Sequence, residues 1–201
     1  MASTFNIAIA ILAAGASKRM GSPKQLLKWG DTTLLKHAIK TCKSTLAKDV
    51  IVVLGANQEM ITSEIKDESV TVISNTFWKL GLGKSIACAA EYVLNSKENI
   101  DGLLVVLADQ PLITSAYLDE MITKFTPEKK EIIATLYSSN KKGVPALFHN
   151  TYFKELSQLS GDDGAKSILK KYPAFVKTLT PGFKNADIDT KEDYELINRP
   201  S

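Results

Sequence analysis

A chain of 201 residues, 44% hydrophobic and 23% charged, has the composition of a soluble globular protein and the length of a single domain, 1–201. Its net charge of +3 without a dense basic run argues against a nucleic-acid partner, and no apolar stretch is long enough to span a membrane. Two cysteines (Cys42, Cys88) and two histidines (His37, His149) lack ligand-like spacing, so zinc is excluded and free thiols point to a reducing, cytoplasmic setting.

Asn6 to Leu12 is a short apolar, β-branched run of the kind that forms a buried parallel strand. No Lys or Arg precedes it and it ends in a glycine loop, so it reads as a strand and not as a signal peptide. The loop to Lys24 holds Gly15 and Gly21, the cations Lys18 and Arg19, and Lys24 behind Pro23. Backbone amides that glycine lets a ligand approach, with Lys and Arg beside them, suit phosphate groups. Five residues separate Gly15 from Gly21, so this is not a Walker loop, and no Gly-x-Gly-x-x-Gly follows the strand. Gly81 to Ser85 mimics the end of a Walker loop, but Trp78 stands where its first glycine belongs. Of the two arginines, Arg19 and Arg199, one lies in this loop, where a permanently charged fork suits a triphosphate.

Apolar residues at 34, 35, 38, 39 and 42 predict a helix over 32–42 with Asp31 or Thr32 as its cap and His37 on its solvated side. A second strand over 49–54 ends at Gly55 before a helix to Ile65, and a third strand covers 70–74. Phe77 and Trp78, ahead of a helix over 84–94, have the placement of core aromatics, though either could stack a base. A fourth strand over 101–108 stops at Asp109, Gln110 and Pro111; a helix over 114–125 and a strand over 131–137 follow. Residues 138–143 read as a turn, and 144–148 as a returning strand whose Pro145 suggests a sheet edge. Short helices at about 151–159 and 165–171, a strand near 175–179, an extended segment over 186–190 and a last helix complete the chain, with Pro200 and Ser201 as tail.

This alternation predicts an α/β fold, a mostly parallel, doubly wound, Rossmann-like sheet. Ligands of such sheets bind beyond the carboxyl ends of the strands, so the loop of Gly15 to Lys24, Gly55, Gly81 to Ser85 and Asp109 converge on one crevice.

Leu12, Ala13, Ala14, Gly15, Arg19, Met20, Gly21 and Lys24 reproduce a Leu-Ala-Ala-Gly-x-x-x-Arg-Met-Gly-x-x-Lys pattern. This resembles the signature of the molybdenum cofactor nucleotidyltransferases (MobA-like NTP transferases), most closely the cytidylyltransferase branch, and matching motifs extend to residue 194. The resemblance implies a sheet of the nucleotide-diphospho-sugar transferase type. It also implies transfer of CMP from CTP, with GMP from GTP the second choice, to the phosphate of molybdopterin with release of pyrophosphate. A molybdoenzyme receiving the product is the implied transient protein partner.

Asp109 ends an apolar strand, where its carboxylate can hold Mg²⁺ or Mn²⁺ against phosphate oxygens; the plain alternative is a turn residue before Pro111. Asp187 and Asp189 flank Ile188 and share one face of an extended segment, although Asp189 with Glu192 also makes a capping box. The resemblance supports a second metal ligand here, Asp189 before Asp187, with Lys191 where the family usually has proline. Gly81, Gly83 and Ser85 open a helix whose free amides suit an anion. The resemblance places the base and ribose there, with Gly55 forming the other wall. Gly143 with Pro145, and Gly161, Asp162, Gly164 and Lys166, resemble the family segments on the pterin side; taken alone, Gly161 to Gly164 reads as a turn.

A phosphate monoester is already mostly ionised at pH 7, so a phosphate acceptor needs no general base, in keeping with a chain that has no Ser/His/Asp or Cys/His arrangement. Positioning and charge neutralisation then carry catalysis, by Arg19, Lys24 and Asp109. The alternatives are a sugar-phosphate or sugar-alcohol-phosphate nucleotidyltransferase and a non-catalytic molybdopterin-binding carrier.

Overall fold

The computed structural model describes residues 5–138, 140–182 and 186–198; Arg199, the tail at Pro200 and Ser201, and Ser139 within the expected turn lie outside them. The first apolar run is β1 (Ile7–Leu12), buried on both faces as its unbroken hydrophobicity requires. Because strand side chains alternate, Ile7, Ile9 and Ile11 enter one core layer and Ala8, Ala10 and Leu12 the other. Each fully buried isoleucine contributes about 1.5–3 kcal/mol.

The hairpin β2 (Lys28–Trp29) and β3 (Thr32–Thr33) follows, then α1 (Leu34–Lys43). The expected helix start at 32 is corrected: Thr32 and Thr33 pair with Trp29 and Lys28, and Thr33 caps α1 by accepting from Lys36 N, so neither Asp31 nor Thr32 is the cap. His37 also departs from the solvated position expected, its Nε2 lying 3.0 Å from Pro111 O.

Next come β4 (Asp49–Leu54), α2 (Gln58–Glu64), β5 (Thr71–Ser74), α3 (Leu82–Leu94), β6 (Gly102–Leu107) and α4 (Ser115–Lys124). The chain closes with β7 (Ile132–Leu136), β8 (Lys142–His149), α5 (Phe153–Leu156), α6 (Lys166–Lys171), β9 (Val176–Leu179) and α7 (Lys191–Ile197). No helix among the described residues is long and apolar enough to cross a membrane.

The main sheet has the order β5-β4-β1-β6-β8-β7-β9, a mostly parallel seven-stranded sheet in which β8 runs antiparallel to both neighbours. Helices α1, α2 and α4 cover one face through residues such as Ile39, Ile61 and Leu118. On the other, Ala8 and Ala10 are small enough to admit the Ala89–Ala90 stripe of α3. The edge position expected for Pro145 is corrected: β8 lies inside the sheet. The ladder skips between Ala134 and Thr135, opposite Pro145, so the missing N–H falls where pairing is already broken. Thr135 Oγ1 donates to Pro145 O at 2.8 Å instead.

The chain leaves β1 for β4 and β5 on one side, then returns to β6 on the other. That reversal opens a crevice above the carboxyl ends of β1 and β6.

Candidate active site

Ala13 continues β1 through its N–H to Val53 O at 2.9 Å, and there the chain turns. Ala13 O and Gly15 O accept from Gln25 Nε2 at 2.8 and 2.9 Å, and Ala14 O accepts from Ala56 N at 3.0 Å. In a trans peptide the N–H lies opposite the preceding carbonyl. The amides of Ala14 and Ala16 therefore point away from Gln25 and that of Gly15 away from Ala56, and all three residues line a cleft of about 710 Å³. The chain then bends at Ser17 (φ 52°), whose Oγ accepts from Lys24 N at 3.1 Å. Arg19 stands out into solvent, while its neighbour Met20 is buried against Leu34 and Ile188 and anchors the turn.

Three distant segments meet at Lys24. Its Nζ donates to Asp109 Oδ2 at 2.5 Å, Asp189 Oδ1 at 3.0 Å and Ile188 O at 3.0 Å. Arg19 pairs with Asp189 Oδ2 at 3.2 Å. Lys24 and Asp109 side chains are only 17% and 16% exposed, against 44% for Asp189, so the first pair is the strongly coupled one. Burial opposes the Lys24 charge, but the pull of Asp109 and Asp189 outweighs it and holds the ammonium above its ordinary pKa. Burial pushes the Asp109 carboxyl up, Lys24 opposing and the neighbouring Asp187 and Asp189 adding to the rise. Burial also acts to raise Asp189, yet Lys24 and Arg19 hold it below its usual range.

Asp109 Oδ1 is buried without a hydrogen-bond partner, an oxygen that a hard cation would satisfy. Among the described residues no set of three or more His, Cys, Asp or Glu side chains forms a metal cluster. Two carboxylates with substrate phosphates and water are a usual Mg²⁺ arrangement, so the donor set fits such an ion.

The expected capping box of Asp189 with Glu192 is corrected by one residue. Thr190 caps α7, accepting from Asp193 N at 3.1 Å while Asp193 Oδ2 accepts from Thr190 N at 2.8 Å. Ile188 is fully buried and its N–H donates to Asp109 O at 2.9 Å. With Ile188 inward, Asp187 and Asp189 both line the cleft. Asp187 Oδ1 accepts from Gln110 Nε2 at 2.7 Å, and the same amide donates to Tyr137 Oη at 3.0 Å.

The entry to α3 forms the opposite wall. A Cβ at Gly81 (φ +93°) would lie 2.4 Å from the Gly161 carbonyl carbon and 2.5 Å from Asp162 Oδ1, so only glycine lets the 160–162 loop seat there. Gly83 N donates to Gly161 O at 2.8 Å and Gly161 N to Leu80 O at 2.7 Å. Ser85 accepts from buried Asn75 Nδ2 at 3.0 Å. A Cβ on Gly55 would lie 2.6 Å from Trp78 Cβ, so Gly55 seats the Trp78 that lines the cleft. The core placement expected of the aromatics is corrected: Phe77 is 60% exposed and Trp78 lines the cleft.

Leu12, Ala13, Ala14, Gly15, Arg19, Lys24, Gly81, Ser85, Asp109, Asp162 and Asp189 thus line the first cleft, whereas Gly55, Gly83 and Gly164 pack behind it and Gly161 is exposed. Gly143 and Lys166 line a second cavity of about 360 Å³, and Pro145 stays within the sheet. The two cavities share Leu82, Leu107 and Asp187. Sequence reasoning missed Gln25, Asn75, Gln110 and Tyr137. An amide or hydroxyl carries no periodic signal; adjacency of Gln25 to Lys24 and of Gln110 to Asp109 was the available hint.

The model of the MobA-like NTP transferase domain matches residues 9–176. Nicotine blue oxidoreductase of Paenarthrobacter nicotinovorans is 30% identical over 198 residues, 93% of this chain and 94% of its own. Bifunctional protein GlmU of Clostridium botulinum is 34% identical over 137 residues, 67% of this chain but 28% of that protein. Among solved structures, Rv0371c of Mycobacterium tuberculosis superposes with a TM-score of 0.82 at 28% identity, covering 96% of this chain and 97% of its own. A complex of Rv0371c with manganese is similar at a TM-score of 0.78 and 26% identity, over 96% of this chain and 98% of that one.

Proposed function

The chain belongs to the family of MobA-like NTP transferase domains and is a nucleotidyltransferase, and from that premise we propose that it transfers CMP from CTP to the phosphate of molybdopterin. A phosphate oxygen of the acceptor attacks the α-phosphorus of the nucleotide, the bond to the β-phosphate oxygen breaks, and pyrophosphate leaves. GTP is the second choice of donor. The acceptor is mostly ionised at neutral pH, so no side chain has to remove a proton.

One observation carries the reading: the loop of residues 14–16 lines a cleft that also contains Lys24 joined to Asp109 and Asp189. Amides, Arg19 and Lys24 would hold the triphosphate, and its in-line placement supplies much of the rate. Asp109 and Asp189 would hold Mg²⁺ or Mn²⁺, which neutralises charge on the phosphates when bound; manganese accompanies the similar Rv0371c. Lys24 and a cation would share the carboxylates of Asp109 and Asp189, so metal binding and lysine–phosphate pairing are linked.

The second cavity suits the acceptor. Leu82, Leu107 and Leu169 offer an apolar floor for a flat ring, and Lys141, Lys142 and Lys166 offer cations for its phosphate. A molybdoenzyme would take the product in a transient contact. A sugar-phosphate acceptor remains the alternative within this chemistry, and a non-catalytic carrier the alternative outside it.

The test is pyrophosphate release with Mg²⁺, molybdopterin and each nucleoside triphosphate. Release with CTP and molybdopterin supports the proposal. Release only with sugar phosphates selects the alternative acceptor, and binding of molybdopterin without release selects the carrier. Because a relative matched over 94% of its own length is named nicotine blue oxidoreductase, turnover of nicotine blue is followed in parallel; turnover there alone would refute the proposal.

A further inference from the structure

We infer that Gln25 is a positioning residue: its side-chain amide turns the glycine loop so that the backbone N–H groups of Ala14 and Ala16 face the cleft. This rests on the reading that the loop grips phosphates.

Gln25 is 3% exposed, far too buried for a polar side chain without a task. Both N–H groups of its amide are spent on one loop, at 2.8 Å to Ala13 O and 2.9 Å to Gly15 O. Its Oε1 lies 3.4 Å from Ser17 Oγ, and that hydroxyl accepts from Lys24 N at 3.1 Å. The assignment of nitrogen and oxygen follows from these partners, since only N–H can satisfy two carbonyls. One side chain thus ties residues 13, 15 and 17 to the segment that carries Lys24.

The consequence lies on the far side of each peptide plane. Holding Ala13 O inward forces the Ala14 N–H outward, and holding Gly15 O inward does the same for Ala16. Ala56 N, on Ala14 O at 3.0 Å, fixes the plane between them. Two of these three planes depend on Gln25.

No other side chain replaces it readily. A planar, neutral amide presents two donors to two carbonyls at once; asparagine is a methylene shorter, and glutamate offers only acceptors. With the donors gone, the buried Ala13 carbonyl and the part-buried Gly15 carbonyl lose their partners and rotate to find others, taking the Ala14 and Ala16 amides with them. The expected loss is in phosphate affinity and turnover rather than in the sheet.

The test uses the whole chain, labelled with ¹⁵N, titrated with inorganic tripolyphosphate in the presence of Mg²⁺. In wild type the amide signals of Ala14, Gly15 and Ala16 shift together. Gln25→Met, matched in length and without donors, keeps native signals in the sheet and binds tripolyphosphate at least about tenfold more weakly; Gln25→Glu does the same. Affinity within twofold of wild type in a folded variant overturns the role of Gln25 and leaves the phosphate loop standing. Absence of any loop response in wild type overturns the phosphate reading itself, and this inference with it. Should neither variant fold, wild type still decides: tripolyphosphate should slow exchange of the Gln25 side-chain N–H protons, because both faces of the same peptide planes are then bonded. Unchanged exchange overturns the inference.

Discussion

Lys24 Nζ and Asp109 Oδ2 lie 2.5 Å apart across 85 residues of chain, and with Asp189 they form the charged floor of the cleft. Both side chains are more than four-fifths buried, so neither charge is stable there without the other. Lys24→Met and Asp109→Asn should each reduce turnover at least about 100-fold, or roughly 2.7 kcal/mol of barrier. Lys24→Met, which strands a carboxylate, should also cost about 3 kcal/mol of folding stability. The double variant should be more stable than the sum of the single losses. Urea unfolding of all four proteins measures the coupling, and strict additivity would show that the pair is not one unit.

Asp189 and Asp187 should differ towards metal. Asp189 is held by Lys24 and Arg19, whereas Asp187 is held by Gln110. Asp189→Ala should therefore raise the Mg²⁺ concentration needed for half-maximal turnover at least about fivefold more than Asp187→Ala. Titrating Mg²⁺ against pyrophosphate release ranks them. A larger effect at Asp187 would transfer the ligand role to the residue at the junction of the cavities.

Ala14 is 5% exposed and lines the cleft, its carbonyl bonded to Ala56 N. Its methyl group narrows the edge along which a base would lie, favouring a pyrimidine over a purine. One methyl group in a pocket is worth about 1–3 kcal/mol, or 10–200-fold. CTP should be preferred over GTP in kcat/KM, and Ala14→Gly should narrow that preference without reversing it, because Trp78 and Ser85 also line the cleft. A wild-type preference for GTP in direct competition would refute the cytidylyl assignment.

Burial pushes the Cys42 thiol up from 9.0 to about 12. The folded chain therefore keeps a proton that the unfolded chain releases, and folding loses stability as pH rises from 9 towards 12. The stability is fully present below pH 9, and the loss approaches about 1.4 kcal/mol per pH unit for this one group. Cys42→Val should show a shallower alkaline decline in urea unfolding between pH 8 and 11. Parallel declines in the two proteins would mean that Cys42 does not titrate as its burial requires.

Gly81 combines φ +93° with a site where a Cβ would lie 2.4 Å from the Gly161 carbonyl carbon. Gly81→Ala should cost at least about 1–3 kcal/mol through backbone strain alone and loosen the loop bearing Asp162. A variant as stable as wild type, by the same unfolding measurement, would mean that the 160–162 loop yields easily.

The sequence by itself determined the alternation of strand and helix, the glycine loop after β1, and Asp109 at the end of β6. Each follows from local chemistry: unbroken apolar runs make doubly buried strands, spacing of three and four makes helices, and the ends of buried strands open on the crevice. Only tertiary structure decided which side chains meet there. Lys24 and Asp189 are 165 residues apart, and no periodicity relates them. Burial of Ile188 sent both flanking aspartates into the cleft, and Thr190 with Asp193, one register beyond the expected cap, secured the helix that follows. Pro145 could lie inside the sheet because the ladder between β7 and β8 skips opposite it, a register that neither strand encodes alone. Gln25 belongs to the same class. Its amide is ordinary until the loop folds back and presents two carbonyls, that of Ala13 buried away from water, to its two N–H groups.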